Sequence, residues 1–256
     1  MPGASACRAS TALQDAELAE QVKSVFQANR GVYGSPRVHA ELQAQGIKCA
    51  RKRVARLMRE QELYAKRPRH RTTTTHSDPE AQAAPNLLQR DFSAEQPNTR
   101  WVADTTYIWT AEGWLYLAVV LGLFSPMVVG WSMAATQDAM LVAQALQMAI
   151  RRRCPPPGLL HHSDRGSTYT SESYQTILAE AHMVVSMSRT ADCYDNAAME
   201  SFFHSLKGEC IEGQSFQTRG QARSVTFEYI ETFYNRTRRH STLQYMSPLM
   251  YEQSMN

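Results

Sequence analysis

Three β-prone segments, separated only by short turn-forming sequences, constrain the fold of this chain more than any other feature. They read "RWVADTTYIWT", "GWLYLAVVLGLF" and "MVVGWSMA", and the first begins at Arg100. Branched and aromatic residues dominate them, as is typical of strands. Strands joined by such short connections pair as antiparallel neighbours, so the sequence predicts a three-stranded meander.

The longest apolar run of the chain, Leu115–Trp131, lies within this region. Ser125, Pro126 and Gly130 interrupt it. It is also shorter than the ~20 residues that a membrane-spanning helix needs. We therefore interpret the run as two buried strands joined at the Ser-Pro step.

Helices and strands alternate after the meander. "TQDAMLVAQALQMAIRRR", which three prolines follow, and "SESYQTILAEAH" predict helices, whereas "GLLHHSD" and "MVVSMS" predict short strands. A further helix, "CYDNAAMESFFHSLKGE", places Met199, Phe202, Phe203 and Leu206 on one side. This order predicts an α/β fold in which helices cover the faces of a mixed sheet.

The N-terminal part has a different character, because residues 16–60 predict three short helices. Ser35 is the expected N-cap of the second helix, Pro36 fits its first position, and Gly46 ends it. The third helix, "ARKRVARLMREQ", is rich in arginine. Three short helices of which the last is basic are typical of a helix-turn-helix unit with the third helix against DNA.

The charge of this region supports a polyanionic partner. From Lys48 to Arg71 the chain has ten Lys and Arg against two acids, whereas the whole chain has a net charge of only +3. A local basic block of this kind indicates nucleic-acid binding. A surface helix of a small bundle is the alternative, as is a solvated tail for Lys66–Arg71. The candidate DNA contacts on the third helix are Arg51, Lys52, Arg53 and Arg56.

Four segments follow from these patterns. We predict a helical DNA-binding domain with a basic tail over 1–71, a linker over 72–99, a mixed-sheet core over 100–215, and a C-terminal helix and basic turn over 216–256. Within the linker, "NLLQRDF" is a candidate for a docked segment. Five scattered cysteines without a CxxC, and an N-terminus without an apolar signal, predict a reduced cytoplasmic protein.

Three carboxylates are candidates for chemistry. Asp104 lies inside a predicted strand, where aspartate is disfavoured and a buried charge needs a partner. Asp164 ends the fourth strand, and 35 residues separate it from Glu200 on the polar face of the last core helix. If the first and fourth strands are neighbours, Asp104 and Asp164 converge and the helix can bring Glu200 beside them.

Such a cluster requires a cation. Two carboxylates ~4 Å apart repel by about 4 kcal/mol at an effective dielectric near 20. All-oxygen ligands suit Mg²⁺ or Mn²⁺, and two such ions can clamp a phosphodiester during in-line displacement. Alternatives remain: Asp164 as a turn residue and Glu200 as a solvated acid. Zinc at His161 and His162 is disfavoured, since adjacent strand residues point to opposite faces.

Several motifs together resemble a known family. They are "YGSPRVHAELQAQG", "NTRWVADTTYIWT", "HHSDRGSTYTSESY", "SMSRTADCYDNAAMESFFHSLKGE" and "YIETFYNRTRRHSTLQYMSPLMYE". In this order and spacing they resemble the second-frame (OrfB) product of bacterial insertion-sequence transposases with a retroviral-integrase-like DDE core. The resemblance extends from about Asp15 to Glu252.

The resemblance implies a ribonuclease-H-like core preceded by an integrase-type helix-turn-helix. It implies that Asp104, Asp164 and Glu200 are catalytic and bind two Mg²⁺ ions, and that Lys207 contacts the DNA end. It also implies assembly as a homo-oligomer on DNA and an upstream first-frame (OrfA-type) domain as partner. The candidate secondary DNA contacts in the C-terminal basic turn are Arg236, Arg238, Arg239 and His240.

The functional expectation is a DDE transposase that cleaves DNA and transfers the strand. A DNA-binding regulator, or an inactive remnant with a scaffold core, is the alternative, although all three acids are intact. A hydrolytic nuclease on the same fold is a third reading, which a strand-transfer product distinguishes from the first.

Overall fold

The structure is a computed structural model that describes residues 3–66, 84–189 and 196–255, with side chains from residue 13 onward. The chain divides into two compact units. The first contains residues 3–66 together with Arg239–Tyr245, and the second contains the remaining described residues. The predicted basic tail beyond residue 66 and the linker up to residue 83 lie outside the described residues.

The first unit is helical, as predicted. Its helices are α1 (Gly3–Ala28), α2 (Ser35–Ala44) and α3 (Arg51–Glu60). Its interior is apolar and is formed by Leu18, Val22, Val25, Val38, Leu42, Val54, Leu57 and Met58. One capping prediction was wrong by one residue: Gly34 occupies the N-cap and Ser35 is the first helical residue. Proline tolerates either position of a first turn, because no intrahelical bond needs its missing N–H there.

A short C-terminal segment belongs to this unit. The backbone N–H of Arg239 donates to the hydroxyl of Tyr33 at 2.7 Å. The Arg239 guanidinium bonds Glu41 at 2.5 Å and the carbonyl of Tyr245 at 2.7 Å. Part of the basic turn that we predicted within 216–256 therefore packs with the helices of the first unit.

The second unit is built on a five-stranded mixed sheet. Its strands are β1 (Arg100–Thr110), β2 (Gly113–Gly122), β3 (Met127–Ala134), β4 (Leu160–Ser163) and β5 (Val184–Met187), in the spatial order β3-β2-β1-β4-β5. β1, β2 and β3 form the predicted antiparallel meander. β4 pairs in parallel with β1, and β5 in parallel with β4. The first and fourth strands are thus neighbours.

Helices cover both faces of this sheet. α4 (Ala139–Arg153) and α5 (Glu172–Glu180) pack on one face against a core that includes Trp101 and Ala103. α6 (Ala197–Leu206) and α7 (Arg219–Glu228) contact β1 and β2, whose alternate residues are also buried. The last helix is α8 (Pro248–Ser254). Among the described residues, no helix has the length and apolarity that a membrane crossing requires.

Two of these helices widen at their C-terminal ends. α6 continues without a break as a π-helix over Lys207–Ile211, and α7 continues as another over Tyr229–Tyr234. A π-helix makes i→i+5 hydrogen bonds and is rare in proteins. Each widened turn changes the direction of the side chains that follow it.

The end of the predicted linker is docked on the sheet. The backbone N–H groups of Leu87 and Leu88 donate to the Ser186 hydroxyl at 2.9 Å and 3.3 Å. Met187 donates its N–H to the carbonyl of Pro85. Leu88 is fully buried. The candidate docked segment "NLLQRDF" is therefore confirmed over its leucines.

Gly130 on β3 marks the closest approach of helix to sheet. A Cβ at this position would overlap the carbonyl oxygen of Ala145 and lie 2.6 Å from the backbone nitrogen of Ala149, both on α4. The absent side chain lets α4 pack directly on the strand. At Gly122, by contrast, an added Cβ meets no atom closer than 3.6 Å.

We expect Gly130→Ala to destabilise the protein by about 1–3 kcal/mol, because α4 must move away from the strand. Gly122→Ala is the matched control, since that site has ordinary van der Waals room, and its effect should be much smaller. Thermal and urea denaturation of the two variants measure the difference. Equal loss in both variants would contradict the close-packing argument.

Candidate active site

Asp104 and Asp164 lie side by side at the pairing of β1 with β4. The register aligns Trp101 with His161 and Val102 with His162. Continued for two residues, past the end of β4 at Ser163, this register brings Asp104 level with Asp164, and the charge of Asp164 raises the pKa of Asp104. Neighbouring parallel strands therefore carry the two carboxylates toward one point, as expected from the sequence if the first and fourth strands are neighbours.

Backbone amides orient both carboxylates. The N–H of Thr105 donates to Oδ1 of Asp104 at 2.7 Å. The N–H of Gly166 donates to Oδ1 of Asp164 at 2.9 Å, and a Cβ at Gly166 would lie 3.0 Å from that same oxygen. A glycine after Asp164 thus lets the loop close onto the carboxylate.

The environment disfavours charge on this pair. Burial, together with the charges of Asp164 and Glu200, raises the pKa of Asp104 to about 7, against the opposing effects of the Thr105 N–H and Lys207. Burial likewise raises the pKa of Asp164, opposed by the N–H of Gly166. Part of each side chain still reaches solvent. The site therefore favours the approach of a cation from outside.

Glu200 lies in the first turn of α6, near Asp104 and Asp164. The helix is anchored by its buried face, Met199, Phe202, Phe203 and Leu206, as predicted. Glu200 is exposed, and its charge acts on Asp104. Within 3–66, 84–189 and 196–255, no three acidic, histidine or cysteine side chains are close enough to hold a metal ion. The structure thus brings Asp104 and Asp164 together and leaves Glu200 within electrostatic range only.

Lys207 stands at the junction between α6 and its π-helical continuation. Its Nζ lies 5.3 Å from the centre of the Tyr107 ring, and its positive charge lowers the pKa of Asp104. A cation over an aromatic face is attracted by the ring quadrupole. The lysine that we predicted as a DNA contact therefore lies beside the carboxylates.

Sequence reasoning missed Tyr169. This residue is buried, and its hydroxyl lies 3.2 Å from Oγ1 of Thr105. Burial raises the pKa of Tyr169 well above its usual value, and the charges of Asp104 and Asp164 add to the effect. The tyrosine therefore stays a neutral hydroxyl next to the carboxylates. Its position five residues after Asp164 was the only available signal.

The two histidines before Asp164 are hydrogen-bonded within the core. His161 contacts the Tyr174 hydroxyl at 3.0 Å, and burial lowers the pKa of its imidazole to about 3. His162 contacts the hydroxyls of Ser186 at 2.8 Å and Ser188 at 3.1 Å. The two rings use different partners, in agreement with the expectation that they face opposite ways.

The basic face of α3 is only partly available to a ligand. Arg53 and Arg56 both bond the carboxylate of Asp15 at 2.5 Å, and Arg56 also bonds Glu60 at 2.8 Å. Arg51 and Lys52 are exposed at the start of the helix. Internal ion pairs thus offset two of the four predicted DNA contacts.

Arg238 is an interior residue rather than the exposed DNA contact that the sequence analysis expected. It is 4% exposed, and its guanidinium bonds Glu209 at 2.6 Å and 2.7 Å and Ser205 at 3.1 Å. The hydroxyl of Tyr229 donates to the same carboxylate at 2.8 Å. Burial lowers the pKa of Arg238, but hydrogen bonding and attraction to Glu209 outweigh it and hold the guanidinium charged.

The other DNA-contact candidates in the basic turn differ in how exposed their side chains are. Arg236 is exposed, whereas His240 is 9% exposed. Arg239 is held by Glu41 and the Tyr245 carbonyl within the first unit. Of these candidates, Arg236 is the one whose side chain faces solvent.

Models of known protein families match three consecutive parts of the chain. A family described as "HTH-like domain" matches residues 13–71, and families described as "Integrase core domain" match residues 94–193 and 200–255. These matches cover the three-helix unit, the sheet with Asp104 and Asp164, and the segment that starts at Glu200.

Two curated relatives are similar over nearly the whole chain. The transposase InsF for insertion sequence IS3A of Escherichia coli (strain K12) is 46% identical over 231 residues, which is 90% of this chain and 80% of that protein. The transposase for insertion sequence element IS904 of Lactococcus lactis is 43% identical over 235 residues, covering 92% and 93%.

A solved structure supports the fold independently. The cryo-EM structure of a simian T-cell lymphotropic virus intasome superposes with a TM-score of 0.52 at 14% identity. The superposition covers 83% of this chain and 69% of that chain.

The raised pKa of Asp104 predicts how stability depends on pH in a chelating buffer. The unfolded carboxyl ionises near 3.8 and the folded one near 7, so the unfolded state binds fewer protons between these values. The free energy of unfolding should therefore fall across this window as pH rises. Asp104→Asn should remove the contribution of Asp104 to that fall, leave the contribution of Asp164, and stabilise the protein at pH above 7 by up to about 4 kcal/mol.

Glu180→Gln is the control for this measurement, because Glu180 is an exposed acid on α5. Urea denaturation of both variants across the pH range tests the prediction. An Asp104→Asn curve parallel to that of the unsubstituted chain would refute it.

The Glu209–Arg238 pair predicts a large effect of a single substitution. Arg238→Met leaves the Glu209 carboxylate buried without its cation, and we expect a loss of about 3–5 kcal/mol. Arg236→Met removes an exposed arginine two residues away and should change stability by less than about 0.5 kcal/mol. Thermal denaturation compares the two. A small effect at Arg238 would show that water replaces the guanidinium.

Proposed function

Because this chain belongs to the insertion-sequence transposases with an integrase core, we propose that it cleaves and joins DNA phosphodiesters at Asp104, Asp164 and Glu200. One observation carries the assignment: a carboxylate on β1 and one directly after the neighbouring parallel strand β4 interact, with Glu200 and Lys207 in electrostatic range. Transposases of this family act on DNA, so the reaction class is polynucleotidyl transfer.

The carboxylates fit a hard divalent cation. Their donor atoms are all oxygens, which suits Mg²⁺ or Mn²⁺. The charge of Asp164 contributes to the raised pKa of Asp104, so bound positive charge would relieve the repulsion. Asp104 and Asp164 would hold the metal, and Glu200 would complete the set. Two bound ions would activate the attacking oxygen and offset charge on the leaving oxygen.

The protein positions these ligands before any ion arrives. The Thr105 and Gly166 amides each hold one oxygen of a carboxylate, which fixes both side-chain orientations. Tyr169 supplies a neutral hydroxyl next to them through Thr105. Glu200 sits at the exposed edge of the site, from which it can close over the substrate.

The reaction has two in-line displacements at one site. Water first attacks the phosphodiester at the element's end, the bond to the 3′ oxygen breaks, and that oxygen takes up a proton as a 3′-hydroxyl. The 3′-hydroxyl then loses its proton and attacks a second phosphodiester, whose leaving strand departs with a free hydroxyl. No covalent bond to the protein forms, so the site requires no nucleophilic serine or tyrosine.

DNA binding in this proposal uses both units. Lys207 offsets phosphate charge beside the carboxylates, while Arg51 and Lys52 on α3 face solvent and are suited to phosphate contacts. Assembly as a homo-oligomer on DNA and cooperation with an upstream first-frame domain belong to the same proposal. Family membership supports both.

We expect Asp104→Asn and Asp164→Asn to reduce strand transfer by about a hundredfold or more, the scale of losing one electrostatic stabiliser. Glu180→Gln, which removes an exposed acid of the core, should leave the rate unchanged. The substrate is DNA with the ends of the insertion element that encodes the chain, incubated with Mg²⁺. Joined and cleaved products are separated on denaturing gels.

Other outcomes point to other functions. Cleaved ends that are never joined would identify a hydrolytic nuclease. DNA binding without any product, with the upstream domain supplied, would identify a regulator or a remnant. Undiminished cleavage by Glu200→Gln would remove Glu200 from the site.

A further inference from the structure

Three large aromatic side chains near the candidate active site are exposed. Tyr107 and Trp109 on β1 and Trp114 on β2 are 48%, 59% and 41% exposed. Aromatic rings of this size normally gain most of their stabilisation by burial. A contiguous exposed group of them therefore indicates a binding surface. We call these three residues the aromatic platform.

The platform is ordered by its own ring contacts. Trp109 and Trp114 are direct cross-strand partners in the β1–β2 hairpin, so their rings lie on one face. The ring centres of Trp109 and Trp114 are 4.6 Å apart at 72°, and those of Tyr107 and Trp114 are 4.9 Å apart at 75°. These edge-to-face contacts fix the rings while leaving much of their surface in solvent.

Positive charge stands at both ends of the platform. Nζ of Lys207 lies 5.3 Å from the centre of the Tyr107 ring. At the other end, Nε of Arg219 donates to the Trp114 carbonyl at 2.9 Å. The nearby acid, Glu112, accepts the backbone N–H of Arg219 at 2.7 Å. Flat aromatic surface between two cations matches a ligand with stacking rings and a phosphate backbone.

The platform is also at a suitable distance from the carboxylates. Tyr107 follows Asp104 by three residues on β1, which is about 10 Å along a strand. Three stacked nucleotides span about the same length, at ~3.4 Å each. Residues an odd number of positions apart point to opposite faces of a strand, so Lys207 makes the connection: its Nζ lies 5.3 Å from the centre of the Tyr107 ring and its charge acts on Asp104. A DNA strand whose phosphate is at Asp104 can therefore pass Lys207 and place neighbouring nucleotides over the platform.

We propose that the aromatic platform stacks unpaired nucleotides of DNA beside the candidate active site. This inference rests on the proposed function, because it assumes that DNA is the substrate. Base stacking on aromatic side chains requires that a face of the base be free, so the ligand is an unpaired or unstacked stretch rather than intact duplex. Every base has such a face, and the contact is therefore tolerant of sequence.

A second copy of the chain fits the platform less well. The exposed surface of the three half-exposed rings amounts to roughly 200–400 Å², whereas a stable interface buries about 800 Å² on each partner. The centres of protein interfaces are also depleted of charge. Here Lys207 and Arg219 flank the rings directly.

The test compares two DNA probes with the full chain in a buffer containing EDTA, so that no cleavage occurs. One probe is a short blunt duplex, and the other is the same duplex with a short unpaired thymidine tail. Fluorescence anisotropy measures each dissociation constant. We expect the tail to tighten binding about tenfold or more, the scale of stacking one base.

Trp109→Leu keeps an apolar side chain but removes the flat ring, so it should abolish the preference for the tail and leave blunt-duplex affinity unchanged. Phe227→Leu is the matched control, since Phe227 is 49% exposed on α7 and lies outside the platform. It should retain the preference. Trp109→Tyr keeps an aromatic face and should also retain it. Should Trp109→Leu fail to fold, Tyr107→Leu provides the same comparison.

Three results would overturn the proposal. The first is equal affinity of the unsubstituted chain for both probes. The second is an equal loss for both probes in Trp109→Leu. The third is a concentration-dependent dimer in sedimentation that Trp109→Leu abolishes, which would assign the platform to a second copy. Because the readout is binding without metal, a chain inactive in strand transfer can still show tail preference, and an active chain can lack it.

Discussion

The parallel pairing of β4 with β1 is the constraint on which the second unit depends. It sets Asp164 level with Asp104, and no turn can join two parallel strands directly. The chain must cross over, and α4 is the crossover element between β3 and β4. Gly130 lets that helix lie directly against the meander. One strand pairing thus accounts for a carboxylate pair, a crossover helix and a strand glycine.

The second unit contains acidic side chains in two contrasting environments. Glu209 is enclosed with Arg238 and Tyr229, so its charge is compensated within the protein. Asp104 and Asp164 receive one backbone amide each, and burial raises the pKa of both. The first arrangement stabilises the fold, whereas the second is costly without an external cation. This contrast separates a structural carboxylate from candidate catalytic ones.

Much of this arrangement could be predicted from the sequence, because local pattern and tertiary packing agree there. The predicted segments for β1 and β3 match the observed strands. The approach of Asp104 to Asp164 was predicted only on the condition that the first and fourth strands are neighbours, and the sheet order meets that condition. Glu200 was placed on the correct helix face, but its distance from the pair depends on how α6 packs, which no periodicity encodes.

The failures have a common physical origin in long-range pairing. From the sequence, Arg238 was expected in a solvated basic turn. In the fold it is buried and pairs with Glu209, which lies 29 residues earlier in the chain. Asp15 similarly forms an ion pair with Arg53, which is 38 residues away in the chain. Tyr169 sits in a loop without periodicity, so its neighbourhood emerged only from the structure.

The π-helical continuation of α6 has a geometric consequence. A π-turn contains one residue more than an α-turn, because its hydrogen bonds run from i to i+5. One residue corresponds to a rotation of about 100° around the axis. Glu200 precedes the widened turn, whereas Glu209 lies inside it and faces Arg238. One continuous helix thus carries two surfaces that point in different directions, an exposed one with Glu200 and a buried one with Glu209, and the widened turn sets the angle between them.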